Sequence, residues 1–150
     1  MKRLTLILAM LLMLLCACGG TGGETYTCTF SIGCEELVGS DSLDKDKLEL
    51  VPENGIIFAA AEVSFTDGES VFDILKRVCR ENKIHLEYSE TPIYATAYIE
   101  GIANLYEFDA GALSGWVYTV NGESPSVGSS KVYPENGDVI AWNFSLEGRG

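Results

Sequence analysis

The side chains able to do chemistry in this chain are few and poorly matched to one another. His85 is the single histidine. It could serve as a general base, but no partner stands at a useful spacing, so a half-exposed strand residue is the expected role. Ser114, Ser124, Ser126, Ser129 and Ser130 invite a nucleophile reading. No G-x-S-x-G elbow surrounds any of them, and one histidine would have to serve any triad. Asp41, Asp44, Asp46 and Glu49 form the densest acidic cluster. An EF-hand calcium loop needs alternate acidic positions and a glycine at the sixth place, and neither is present, so a solvated acidic face is expected. Cys28, Cys34 and Cys79 match no zinc-ligand spacing. The expectation is a protein that is not an enzyme, with no catalytic residue, no metal and no resident cofactor.

The start of the chain says where such a protein works. Met1-Lys2-Arg3 is positively charged, and Leu4 to Leu15 is almost wholly apolar. That run is short for a membrane span and suits the core of a secretory signal. Leu15-Cys16-Ala17-Cys18 resembles the lipobox of bacterial lipoproteins, which implies cleavage after Ala17 and lipid on Cys18. Residues 1–17 form the expected leader, and 18–25, opening with CGGTGG, a flexible glycine-rich tether. The leader carries two positive charges and no negative ones, so its removal takes the net charge from −12 to −14. A chain so acidic is repelled by nucleic acid and by anionic lipid surfaces. The implied location is the extracytoplasmic face of the cell membrane, held only through the lipid.

The elements that must position any site follow from periodicity. Tyr26 to Cys34 alternates as a strand, with Cys28, Phe30, Ile32 and Cys34 on one face. Glu35 to Gly55 is polar, with one amphipathic patch (Leu43, Leu48, Leu50). Ile56 to Phe65 reads as a second strand. Ser70 and Asp73 form a capping pattern ahead of Val71, Ile74, Leu75, Val78 and Cys79, which recur at helical spacing, so a helix is expected over about 70–82. Ile84–Tyr88 and Tyr94–Ile99 read as strands broken near Pro92. Trp116 to Val120 and Val139 to Phe144 are the strongest strand signals, each beside a turn dipeptide. Asn121-Gly122 suits a type I′ turn, which needs positive φ at both residues. In the last strand Ile140, Trp142 and Phe144 share a face. The order predicts an α+β domain over 26–146, with one helix packed on one face of a small mixed sheet.

An odd number of cysteines beyond Cys18 in an exported chain suggests one bridge and one free thiol. Cys28 and Cys34 would stand about 20 Å apart in a straight strand, whereas a disulfide needs Cα atoms within about 7 Å. If the first two strands are antiparallel neighbours, the helix returns along the first, and its far end favours Cys34–Cys79 over Cys28–Cys79. Three reduced, buried thiols are the alternative.

Gly115-Trp116, Val120-Asn121-Gly122, Tyr133 and Gly137-Asp138-Val139-Ile140, closing on Trp142, resemble the transcobalamin-like C-terminal domain, a family of unknown function in exported bacterial proteins. The resemblance extends upstream through Gly68 to Leu75 and Tyr98 to Ile102. It implies a β-grasp-like fold and, by analogy with animal vitamin B12 carriers, contact with a corrinoid such as cobalamin. In those carriers a separate helical domain forms the other half of the cobalamin site. The expected ligand contacts are Trp116 and Tyr118 with Glu123, Ser124 and Val127 of the loop that follows. The expected function is extracytoplasmic capture of a small molecule, a corrinoid being the named candidate. A cell-surface protein–protein or adhesion module without a small ligand is the second reading. A pocket beside Trp116 and Tyr118 favours the first, and a flat apolar patch the second.

Overall fold

The structure is a computed structural model that describes residues 24–91 and 96–148. The expected leader, Cys18 and the tether as far as Gly23 lie outside the described residues, as does Pro92. Seven strands and one α-helix follow in order: β1 Thr25–Gly33, β2 Ile56–Thr66, α1 Val71–Glu81, β3 Leu86–Thr91, β4 Thr96–Ile102, β5 Leu105–Tyr106, β6 Gly115–Val120 and β7 Val139–Ser145. Short 3-10 turns occupy Glu35–Leu37, Lys45–Leu50 and Ser129–Lys131.

The strands make two sheets rather than one. The larger has the order β2-β1-β7-β6 and is mixed, because β1 and β7 run parallel while the flanking pairs are antiparallel. The smaller, β3-β4-β5, is antiparallel throughout. The architecture is α+β, strand-dominated, with mixed sheet pairing.

Alternation along β1 turns Cys28, Phe30 and Ile32 into the core, where Ile140 and Trp142 of β7 join them. The helix closes that core with Val71, Ile74, Leu75, Val78 and Cys79, all buried. Its start is set by a complete capping box. Ser70 Oγ accepts from Asp73 N–H at 3.2 Å, and Asp73 Oδ2 accepts from Ser70 N–H at 3.0 Å. Burial alone would raise the Asp73 pKa, but hydrogen bonds from Ser70 and Lys76 overcome it and hold the carboxyl at about 2. A carboxyl depressed on folding stabilises the native state above its ordinary pKa of 3.8. That contribution is lost as pH falls from there towards 2. Ser70→Ala should cost about 1–2 kcal/mol at neutral pH. In urea titrations the gap between wild type and variant should narrow on acidification through this window. A gap independent of pH would show that Asp73 does not depend on Ser70.

The free edge of β2 is blunted twice. Two register shifts against β1, between Phe30 and Ile32 and between Ile32 and Gly33, interrupt the ladder on one half. On the other half Arg77 donates to the Ser64 carbonyl at 2.6 Å, while Glu69 accepts from Thr66 N–H at 2.7 Å. Bulges and charged side chains on an outer strand are the devices that keep sheets from pairing edge to edge.

Cys34 is buried as expected, but not in the cluster that holds Cys28 and Cys79. It lies one residue beyond β1 and packs with Leu37, Leu43, Leu105, Ala110 and Phe144 in a second cluster to which the helix contributes nothing. Cys79 belongs to the main core with Cys28. The expected Cys34–Cys79 bridge is therefore absent, and Cys28, Cys34 and Cys79 are free, buried thiols. The physical reason is that strand alternation stops at Gly33 and the chain turns into the 35–37 segment. Burial pushes the Cys28 and Cys34 thiols up to about 11 and Cys79 up to about 12, so all three stay protonated at neutral pH. The expected Leu43, Leu48 and Leu50 patch is also corrected: Leu43 is buried, while Leu48 and Leu50 are exposed. Phe144 shares the face of Ile140 and Trp142, as expected, but packs at its far end in the second cluster.

Candidate functional site

Trp116 and Tyr118 project from the same side of β6, as period-two spacing demands. Each meets its cross-strand partner on β7. Tyr118 stacks on Trp142 at 5.1 Å, and Trp116 meets Phe144 edge-on at 5.4 Å. Their burial is unequal. Tyr118 is 6% exposed and belongs to the core, whereas Trp116 is half-buried, and its indole donates to the Leu105 carbonyl at 2.8 Å.

The hairpin-like end after β6 takes the conformation its sequence requires. Asn121 and Gly122 have φ of 54° and 81°, and Val120 and Glu123 exchange two backbone hydrogen bonds across the turn. Beyond it the chain is pinned back at three points. The Tyr118 hydroxyl donates to the Val127 carbonyl at 2.6 Å. Ser130 Oγ accepts from Ala97 N–H at 3.1 Å and pairs with Thr96 Oγ1 at 3.0 Å. Val71 N–H at the helix start donates to the Val132 carbonyl. Gly128 sits so close to Thr96 that a Cβ would fall 1.8 Å from Thr96 Oγ1.

These contacts enclose a narrow crevice of about 50 Å³ between the two sheets, lined by Tyr98, Ile99, Trp116, Tyr118, Ser129 and Trp142 among others. Of the sequence-predicted residues, Trp116 and Tyr118 line it and Val127 closes beside it through Tyr118. Glu123 and Ser124 are solvent-exposed at the turn and do not. Sequence reasoning left out Tyr98, weighed Ser129 only as a nucleophile, and placed Trp142 on a strand face without assigning it to this site. Trp142 is 2% exposed, and its Nε1 is the buried side-chain nitrogen that lacks a hydrogen-bond partner among the described residues. Of two larger depressions, one beside Glu36, Ser145 and Leu146 has no aromatic lining, and one beside Tyr26, Asp67 and Pro134 has a single aromatic side chain.

The remaining candidates stand apart from this crevice. His85 is exposed just before β3, its ring 6.1 Å from that of Tyr106. Asp41, Asp44, Asp46 and Glu49 are exposed. No group of three histidine, cysteine or acidic side chains among the described residues is placed to hold a metal ion.

A search of curated proteins gave no match. Among solved structures, the chain is similar to haptocorrin in complex with Cbi, at 15% identity and a TM-score of 0.61. That likeness covers 85% of this chain and 26% of haptocorrin, so the chain spans about a quarter of that protein, and at such identity it shows the fold alone. A candidate metal-binding protein from Ruminococcus gnavus ATCC 29149 aligns over 84% of this chain and 99% of its own, at 17% identity. Its TM-score of 0.44 is too low to argue from. Residues 68–145 match the family described as domain of unknown function DUF4430, and the chain belongs to that family.

Proposed function

We propose that this protein is a lipid-anchored, extracytoplasmic binding module of β-grasp-like fold that captures a small ligand, with a corrinoid as the named candidate. The observation that carries the reading is the aromatic crevice between the two sheets, where Trp116, Tyr118 and Trp142 meet beside the pinned 123–129 loop. Ligand pockets typically hold about 300–1,000 Å³, so a crevice of about 50 Å³ accepts an edge or substituent of a corrinoid and not the whole. The module therefore acts as one wall of a site, with Trp116 and Tyr118 against the ligand and Glu123, Ser124 and Val127 bordering it. Haptocorrin, which holds Cbi in the related structure and is about four times as long as the matching part, supports a shared-site arrangement. No chemistry is performed on the ligand in this reading, and Cys18 supplies the anchor.

The test has two arms. Full-length protein is fractionated beside Cys18→Ser, which should move from membrane to soluble fractions. Cobalamin is then titrated by absorbance and calorimetry into wild type and Trp116→Ala. Binding is expected to be weak, and weaker still in the variant. Absence of heat and spectral change at about millimolar cobalamin, equivalent to a binding free energy weaker than roughly 4 kcal/mol, would remove the corrinoid reading.

A further inference from the structure

The outer face of the three-stranded sheet is built differently from the crevice. Along β4, Ala97 and Ile99 are buried, while Tyr98 is exposed and Glu100 half-buried; Tyr98 borders the crevice and also carries its ring to this outer face. Both tyrosines of this region are held by carboxylates: the Tyr98 hydroxyl donates to Glu107, and the Tyr106 hydroxyl donates to Glu87 at 2.8 Å. Tyr106 lies over Gly101, its cross-strand partner, where a Cβ would fall 2.7 Å from the ring. Above the same ring, 5.7 Å from its centre, stands the ammonium of Lys47, which also bonds Asp109. An ammonium is satisfied here at once by an aromatic ring and a carboxylate, so a basic side chain is chemically suited to such a surface.

Two residues past Tyr106, Phe108 adds a second observation. Its φ is 67°, a conformation that bulky side chains resist, and it is 61% exposed. The strained backbone is held by hydrogen bonds from Phe108 N–H to Ser114 O and from Gly111 N–H to Phe108 O. Burial does not reward the strain, since the ring projects into solvent. Strained conformations maintained without a folding benefit mark contact sites. Aromatic side chains, phenylalanine among them, are enriched in protein interfaces relative to the rest of the surface.

We infer that this face, with Phe108 at its border, is a docking surface for a partner-protein segment carrying lysine or arginine beside apolar residues. The partner's cations meet the Tyr98 ring and the carboxylates of Glu87, Glu100 and Glu107, in the manner of Lys47 at Tyr106, and Phe108 enters its apolar part. The strongly negative net charge draws such a segment in, and salt weakens the attraction.

The test titrates a dye-labelled peptide of alternating lysine and leucine, and its glutamate–leucine counterpart, into the full-length protein by fluorescence anisotropy. The lysine peptide should bind and the glutamate peptide should not. Phe108→Gly should weaken binding by about fivefold or more while leaving the unfolding midpoint unchanged or higher, because glycine relieves the strain. Lys47→Ala should tighten binding more than Lys45→Ala, an equal change of charge at a neighbouring exposed lysine. The inference fails if wild type does not bind at low salt. It also fails if Phe108→Gly binds as wild type does while the two lysine variants behave alike, which would mark attraction by net charge only. A midpoint that falls together with affinity in Phe108→Gly would make that residue structural and would overturn its assignment.

Discussion

Replacing Gly55 with alanine should cost the domain about 3 kcal/mol or more, the combined effect of a disfavoured backbone and a steric overlap that cannot relax. Gly55 has φ of 69°, and a Cβ there would stand 2.6 Å from Glu35 Cα and 2.9 Å from its nitrogen. Neither neighbour is free to retreat. The Gly55 carbonyl accepts from Cys34 N–H at 2.6 Å, and the 35–37 turn beside it carries Leu37, which is fully buried. Gly122 provides the comparison. Its φ is 81°, but nothing lies within 4 Å of the added carbon, so Gly122→Ala meets backbone strain alone. That strain is worth about 1–2 kcal/mol. Urea denaturation of the two variants beside wild type measures both. Equal midpoints for the variants would mean that the 35–37 turn yields to Gly55 without penalty.

The second large effect belongs to Trp142. Trp142→Ala should lose about 3–5 kcal/mol, since the ring is 2% exposed, stacks on Tyr118 and joins the core made by β1, β7 and α1. Trp142→Phe should cost much less than the lost volume implies. Among the described residues the indole N–H is buried without a partner, and an unsatisfied buried donor costs about 1–3 kcal/mol. Phenylalanine removes that donor while keeping an aromatic surface against Tyr118. The measurement is again chemical denaturation, with near-ultraviolet circular dichroism to show that the stack persists. A phenylalanine variant as damaged as the alanine one would mean that ring shape alone decides.

Local signals carried much of this architecture. Ser70 and Asp73 announced the helix start, and the stripe from Val71 to Cys79 announced its buried face. Asn121-Gly122 announced a turn that does take positive φ twice. What failed was non-local. Cys34 stands beyond the last alternating residue of β1, and nothing in its neighbourhood says that the chain will leave the sheet plane there. The split into two sheets is equally unreadable, because it depends on how β4 meets β6. The crevice shows the same division. Trp116 and Tyr118 share a strand and were legible as a pair, whereas Tyr98 and Ser129 reach it from separate segments. Phe108 could not be singled out from its neighbours in sequence, since its strain comes from bonds to Gly111 and Ser114.

The parallel pairing of β1 with β7 sets the first strand of the domain against the last, with Thr29 beside Val139. During synthesis β1 therefore waits for nearly the whole chain before its second neighbour exists. Until then it has only β2, and an isolated two-stranded unit is marginal in water. Closing so long a loop is slow, and no shorter intermediate offers the core that Ile140 and Trp142 complete. A chain cut before Val139 loses both the strand that joins β1 to β6 and the two side chains, Ile140 and Trp142, that complete the main core.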